Sequence, residues 1–120
     1  MIFQVNGNDY TKYLQDDSYN INQVNIGETW TDANHKKHKD DILKVQGSFK
    51  MAFVQISEFN QFLTDLAASK FGGYYHCTLF VVNLNDTKII DCFIDVLSDR
   101  YRPVDSNRTV NYVNVVINEA

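Results

Sequence analysis

Leu43-Lys44-Val45-Gln46-Gly47-Ser48-Phe49-Lys50-Met51-Ala52-Phe53 is the stretch that decides the fold. Side chains alternate between the two faces of a β-strand, so residues two apart share a face. Leu43, Val45, Gly47, Phe49, Met51 and Phe53 fall on one side, and Lys44, Gln46, Ser48 and Lys50 on the other. That alternation predicts a long strand from Ile42 to Phe53, with one face in a core and one in water.

Downstream the period changes. Ser57 stands where an N-cap belongs, and Glu58 sits in the first turn, where a helix dipole favours a carboxylate. Phe59, Phe62, Leu63, Leu66 and Ala67 then follow at helical spacing, and Gly72-Gly73 supplies a stop. An amphipathic helix is predicted over about residues 57–70. Tyr74 to Leu84 and Thr87 to Ser98 read as an antiparallel hairpin turning at Asn83-Leu84-Asn85-Asp86. Ile90, Cys92, Ile94 and Val96 share one face of its second strand, and Asp91, Phe93 and Asp95 the other. Asp99 to Asn107, with the only proline at Pro103, reads as a loop before a last strand, Thr109 to Ile117.

Upstream, Met1 to Val5 reads as a short strand turning at Asn6-Gly7-Asn8-Asp9. Tyr10 to Leu14 fits either a helical turn or a short strand. Ser18 to Thr29 reads as a strand whose apolar phase slips near Asn22-Gln23, as a β-bulge would make it. Thr31 to Asp41 has no apolar period and is expected to be a long exposed loop or hairpin tip. The whole predicts one domain over residues 1–120, mainly β (α+β): an antiparallel β-sandwich or open barrel with one packed helix.

Composition agrees. Val, Ile, Thr and the aromatics make up 44 of 120 residues, which favours pleated sheet. No run approaches the ~20 apolar residues of a membrane span, and the N-terminus lacks the features of a secretory signal. Eleven basic against fifteen acidic side chains give a net charge of −4, the opposite of what a duplex-binding protein carries.

Few residues carry a chemical signal. His35, His38, Asp40 and Asp41 are the best local set for a metal, but three lysines surround the histidines and no further ligand is specified. Asp91 and Asp95 lie roughly 13 Å apart along a strand at ~3.3 Å per residue, too far for a paired acid and base. With the hairpin centred between Leu84 and Asn85, Cys77 lies directly opposite Cys92. A disulfide then becomes geometrically feasible, although reduced, buried thiols are the expectation without a secretory signal. Tyr74, Tyr75 and the phenylalanines lack the interleaved basic residues of a nucleic-acid stacking platform, so core packing is expected of them. Arg100 and Arg102, flanking Tyr101, are expected to make ion pairs or to contact a neighbouring subunit. No cofactor, metal or catalytic constellation is predicted, and the chain is not expected to be an enzyme.

Three blocks carry a resemblance. Ile2-Phe3-Gln4-Val5-Asn6-Gly7-Asn8-Asp9-Tyr10-Thr11-Lys12-Tyr13-Leu14 is similar to the Ile-Asn-Gly-x-Asp-Ile-Thr-x-Tyr opening of small tail proteins in long-tailed phages and prophages of Gram-positive bacteria. His35-Lys36-Lys37-His38-Lys39-Asp40 and the strand after it resemble that group's basic loop and strand. Asp99-Arg100-Tyr101-Arg102-Pro103-Val104 resembles its Gly-Asp-Arg-x-x-Pro-Val segment, with Ser98 where the group tends to have glycine.

The resemblance implies a virion structural protein of the tail, made in the host cytoplasm and assembling with itself into rings, often hexameric, beside other tail proteins. His35, Lys36, Lys37, His38, Lys39, Asp40, Arg100 and Arg102 become candidates for contacts between subunits. Asp91 and Asp95 become candidates for a lumen wall that DNA passes without binding. A small monomeric β-sandwich that binds a protein or carbohydrate is the alternative.

Overall fold

The computed structural model describes residues 2–102 and 109–120, and their side chains apart from those at 16, 98–102 and 109–112. Strands β1 (Phe3–Val5), β2 (Asn8–Asp9), β3 (Asn20–Asn25), β4 (Thr29–Thr31), β5 (Lys37–Lys39) and β6 (Leu43–Phe53) precede helix α1 (Ile56–Ala68). Strands β7 (Tyr75–Val81), β8 (Asp86–Arg102) and β9 (Thr109–Glu119) follow it. Seven of these form one antiparallel sheet in the order β2-β1-β7-β8-β9-β6-β3, while β4 and β5 pair only with each other. The chain is therefore mainly β with one helix, and its single curled sheet corresponds to the open-barrel form of the expectation.

The sheet curls because one of its faces is continuously apolar. Phe3, Val5, Ile21, Phe49, Met51, Phe53, Leu79, Val113, Val115 and Ile117 all point inward and are buried. Gly47, at φ +151°, allows β3 to pass close to β6, since a Cβ at that position would lie 1.8 Å from the carbonyl oxygen of Asn20. Curling brings the β3 edge to the end of β7 and the 3-10 turn Val82–Leu84. A seam of side chains closes the gap. Gln23 N–H donates to Asn83 Oδ1 at 2.9 Å, and Asn83 Nδ2 donates back to the Gln23 carbonyl at 2.7 Å. The Asn83 amide thus pairs with an edge strand as a neighbouring strand would. The Tyr19 hydroxyl adds a bond to the Phe80 carbonyl at 2.5 Å.

Helix α1 turns Phe59, Phe62 and Leu66 into the core. The Phe62 ring meets Tyr10 edge-on at 4.8 Å, and Phe59 and Phe62 lie 5.3 and 5.6 Å from Phe53. Leu63 and Ala67, expected on the same face, stay exposed, so the apolar stripe is narrower than its spacing implied. The N-cap is Gln55, without a side-chain cap, and Ser57 lies inside the first turn.

Other boundaries shift for identifiable reasons. β3 pairs with β6 without a register break from Asn20↔Ser48 to Asn25↔Leu43, so the bulge expected near Asn22-Gln23 is absent. The irregularities fall instead where β9 meets β6 and β8. Leu43 is exposed because β9 reaches along β6 only from Gln46 onward. Tyr10 to Leu14 resolves as a 3-10 turn, Thr11–Tyr13. Residues 99–102, expected in a loop, continue β8, and Pro103 lies outside the described residues.

The β7–β8 hairpin turns earlier than expected, with Val81↔Asp86 as its last pair, because the Val82–Leu84 turn and left-handed Asn85 supply the reversal. Cys77 therefore faces Ile90 and Cys92 faces Tyr75, so the cysteines are diagonal neighbours rather than directly opposed.

The described residues span 67 × 26 × 24 Å with a radius of gyration of 17.3 Å. A compact chain of this length has about 14 Å. The molecule is elongated.

Candidate functional site

Two exposed features stand out from the closed core: the β4–β5 arm and the outer face of β8. The arm is a two-stranded hairpin in register Thr29↔Lys39, Trp30↔His38 and Thr31↔Lys37. Its strands contact chiefly each other, and residues 33–43 are all exposed. This is the hairpin tip that the polar run predicted.

Asp32 organises the tip. Its Oδ1 accepts from the N–H groups of Asn34 at 2.8 Å and Lys36 at 3.0 Å, and its Oδ2 bonds His38 Nε2 at 2.7 Å. The bond from His38, with those two N–H groups, holds the Asp32 carboxyl below the ordinary carboxylate range. His35 takes the left-handed position of the turn, at φ +61°. The Trp30 indole stacks on the His38 ring at 4.4 Å and 19°, and its Nε1 donates to Asp40 Oδ1 at 3.2 Å. At the arm's base Gly27 is required by close approach, because a Cβ there would lie 1.8 Å from the Asp40 carbonyl oxygen.

The residues considered for a metal therefore have other partners. His38 bonds Asp32, Asp40 bonds Trp30, and Asp41 Oδ1 accepts from Asn25 Nδ2 at 3.3 Å. Among the described residues no group of three or more His, Cys, Asp or Glu side chains is placed to hold a metal ion. Lys36, Lys37 and Lys39 extend the tip as a basic cluster, exposed on both strand and turn.

The second feature is one that sequence reasoning missed. β8 is an interior strand of the sheet, yet Ile89, Phe93 and Leu97 all stand exposed on its outer face, Ile89 at 80%. Asp91 and Asp95 alternate with them on the same face. Asp91 pairs with His76 across the strand boundary, at the register pair His76↔Asp91. The Tyr74 ring lies 5.0 Å from Phe93, and Phe71, 72% exposed, lies 5.8 Å from His76. The expectation of core packing holds for Phe3, Phe49, Phe53, Phe59 and Phe62, and is corrected for Phe71, Tyr74 and Phe93. The signal was in the sequence as a spacing of four, Ile89-Phe93-Leu97, on the side assigned to solvent.

Cys77 and Cys92 are free and buried, with Cys92 Sγ donating to Cys77 Sγ at 2.9 Å. That bond, together with burial, raises the Cys77 pKa. The Cys77 thiol therefore stays protonated near neutral pH, and burial shields both sulfurs from reagents. The backbones of Arg100 and Arg102 pair with Tyr112 and Thr109, while their side chains lie outside the described residues.

No family model, curated protein or solved structure matches this chain. Among the described residues no helix is long and apolar enough to cross a membrane.

Proposed function

We propose that this chain is a virion structural protein: a component of a bacteriophage or prophage tail that assembles with itself into a ring or tube. It would act beside other tail proteins, without catalysis, in the virion and before that in the host cytoplasm. The observation that carries the reading is the β4–β5 arm. A two-stranded hairpin alone is at best marginally stable in water. This one has a Trp-His stack and an Asp-centred turn, yet packs on almost nothing in its own chain. An arm so organised has its use in contact with another molecule. The three sequence blocks that resemble tail proteins supply the identity of the assembly.

Light scattering and negative-stain microscopy of the purified protein over a concentration series test this directly. Rings or tubes are expected above a threshold, and deletion of Asn34 to Lys39 should abolish them while leaving a folded monomer. A monomer at every concentration would sink the reading.

A second reading has one observation in its favour. The exposed aromatic group of Phe71, Tyr74 and Phe93 suits a monomeric module that binds a carbohydrate or a protein. That reading expects a stable monomer.

A further inference from the structure

We infer that the outer face of the sheet carries a binding track for a linear, neutral oligosaccharide, running across the strands from Tyr74 and Phe93 to Asn22. The inference rests on the carbohydrate option of the second reading above, gives it a site and a ligand class, and stands apart from self-assembly. Residues paired across an antiparallel sheet share a face. The registers Phe93↔Asn118, Gln46↔Asn118 and Asn22↔Gln46 therefore set four side chains in one row over β8, β9, β6 and β3. Tyr74, whose ring lies 5.0 Å from Phe93, extends the row at its aromatic end. At ~4.8 Å between strands, the row runs about 14 Å from Phe93 to Asn22, a length that takes a chain of sugars rather than one.

The occupant follows from the chemistry of the row. Its amide half lies in a shallow groove of about 370 Å³, lined by Asn20, Asn22, Gln46 and Asn118 with Ser48 and two valines, and no charged side chain lines it. Asn22 Nδ2 donates to Asn20 Oδ1 at 2.7 Å, while the Gln46 and Asn118 side-chain amides have no hydrogen-bond partner among the described residues. An amide both donates and accepts, as a hydroxyl does. A phosphate chain would need cations, and a protein anchor an enclosed apolar pocket. The C–H face of a sugar ring fits the exposed rings of Phe93 and Tyr74. Asp95, opposite Val116 on the same face, adds an acceptor that a hydroxyl satisfies and an anionic chain does not. Asp91 and Lys44, beside the row, are already engaged by His76 and by the Ala120 carbonyl.

The test is a printed array of neutral linear oligosaccharides of glucose, mannose, galactose and N-acetylglucosamine in their common linkages, beside sulfated chains. Saturable binding of a neutral chain is expected, with the sulfated chains left unbound. Added as a free oligosaccharide to 15N-labelled protein, the strongest binder should move the side-chain amide signals of Gln46 and Asn118. Phe93→Ala and Gln46→Ala should each weaken binding by roughly fivefold or more. Val54→Ala, exposed beyond the end of β6, should leave it unchanged. Backbone spectra like those of wild type show that the variants keep the fold.

The inference is overturned if no neutral chain binds, if only sulfated chains bind, or if both variants bind like wild type. It is also overturned if the Gln46 and Asn118 amides shift with protein concentration alone and no longer respond to sugar, because a second copy then takes the face. Light scattering reads self-assembly separately. A monomer that binds sugar keeps this inference and removes the assembly, while an assembling protein that binds sugar removes only the monomer expected by the second reading.

Discussion

The seam between β3 and the end of β7 sets what holds the sheet curled, and two substitutions measure it. Tyr19→Phe removes one hydroxyl and keeps the ring, which is stacked on Phe49 at 5.6 Å. The Phe80 carbonyl then loses its 2.5 Å partner in a half-buried place. Leaving such a group without a partner costs about 1–2 kcal/mol. Asn83→Ala removes the pair of bonds to Gln23. Each is worth ~0.5–1.5 kcal/mol, and exposure to water puts their sum near the lower end, about 1 kcal/mol.

Urea unfolding gives the comparison. With a slope of about 1–2 kcal/mol per molar, the midpoint should fall by roughly 0.5–2 M for Tyr19→Phe and roughly 0.5–1 M for Asn83→Ala, at unchanged slope. The double variant should depart from additivity by about 0.5 kcal/mol, because both side chains close one gap. Amide exchange localises the effect. Gln23 points its N–H at Asn83, so Asn22 and Val24 point theirs at β6. In Asn83→Ala the Gln23 amide alone should lose protection. Unchanged Gln23 exchange, or a midpoint within error of wild type for both variants, would refute the seam as a closure.

Two further outcomes follow from ionisable groups. The Asp32 carboxyl is depressed in the folded arm, so its contribution is complete above the ordinary value of 3.8 and is lost as pH falls through the lower folded value. Trp30 is the only tryptophan, stacked on the His38 that bonds Asp32, so its emission reports this opening. Wild type should show an acid transition in Trp30 emission, and Asp32→Asn should show the opened signal already at neutral pH; emission identical in the two proteins would refute the role of Asp32. Cys77, its pKa raised, should resist a thiol-specific disulfide reagent at pH 8 in the folded protein and react in urea, together with Cys92. Fast labelling of the folded protein would contradict a buried pair with Cys77 protonated.

Much of the architecture was legible because period and burial coincide. Phe49, Met51 and Phe53 alternate and are buried, and Phe59, Phe62 and Leu66 recur at helical spacing and are buried. What was not legible depended on partners far away in sequence. Nothing local in Asn83 says that its amide will pair with Gln23, sixty residues earlier. The hairpin register shifted because Val82–Leu84 formed a 3-10 turn, and a two-residue change in pairing moved Cys77 from opposite Cys92 to its diagonal. The arm was legible as an exposed tip, but its Asp32-centred turn was not, since Asp32 was counted only as one polar residue in a charged run. The outer β8 group was hidden by its own aspartates, which made the face read as solvated.

Those aspartates can be understood together with the apolar residues they separate. A free subunit that exposed Ile89, Phe93 and Leu97 without interruption would offer a flat apolar strip to any other chain. Carboxylates at alternate positions keep the face hydrated and disfavour a face-to-face approach of two copies, since each would bring Asp91 and Asp95 against the same pair. On the proposed reading, the net charge of −4 is therefore less informative than its placement. Lysines gather at a projecting hairpin, while carboxylates are set between apolar groups on a sheet face.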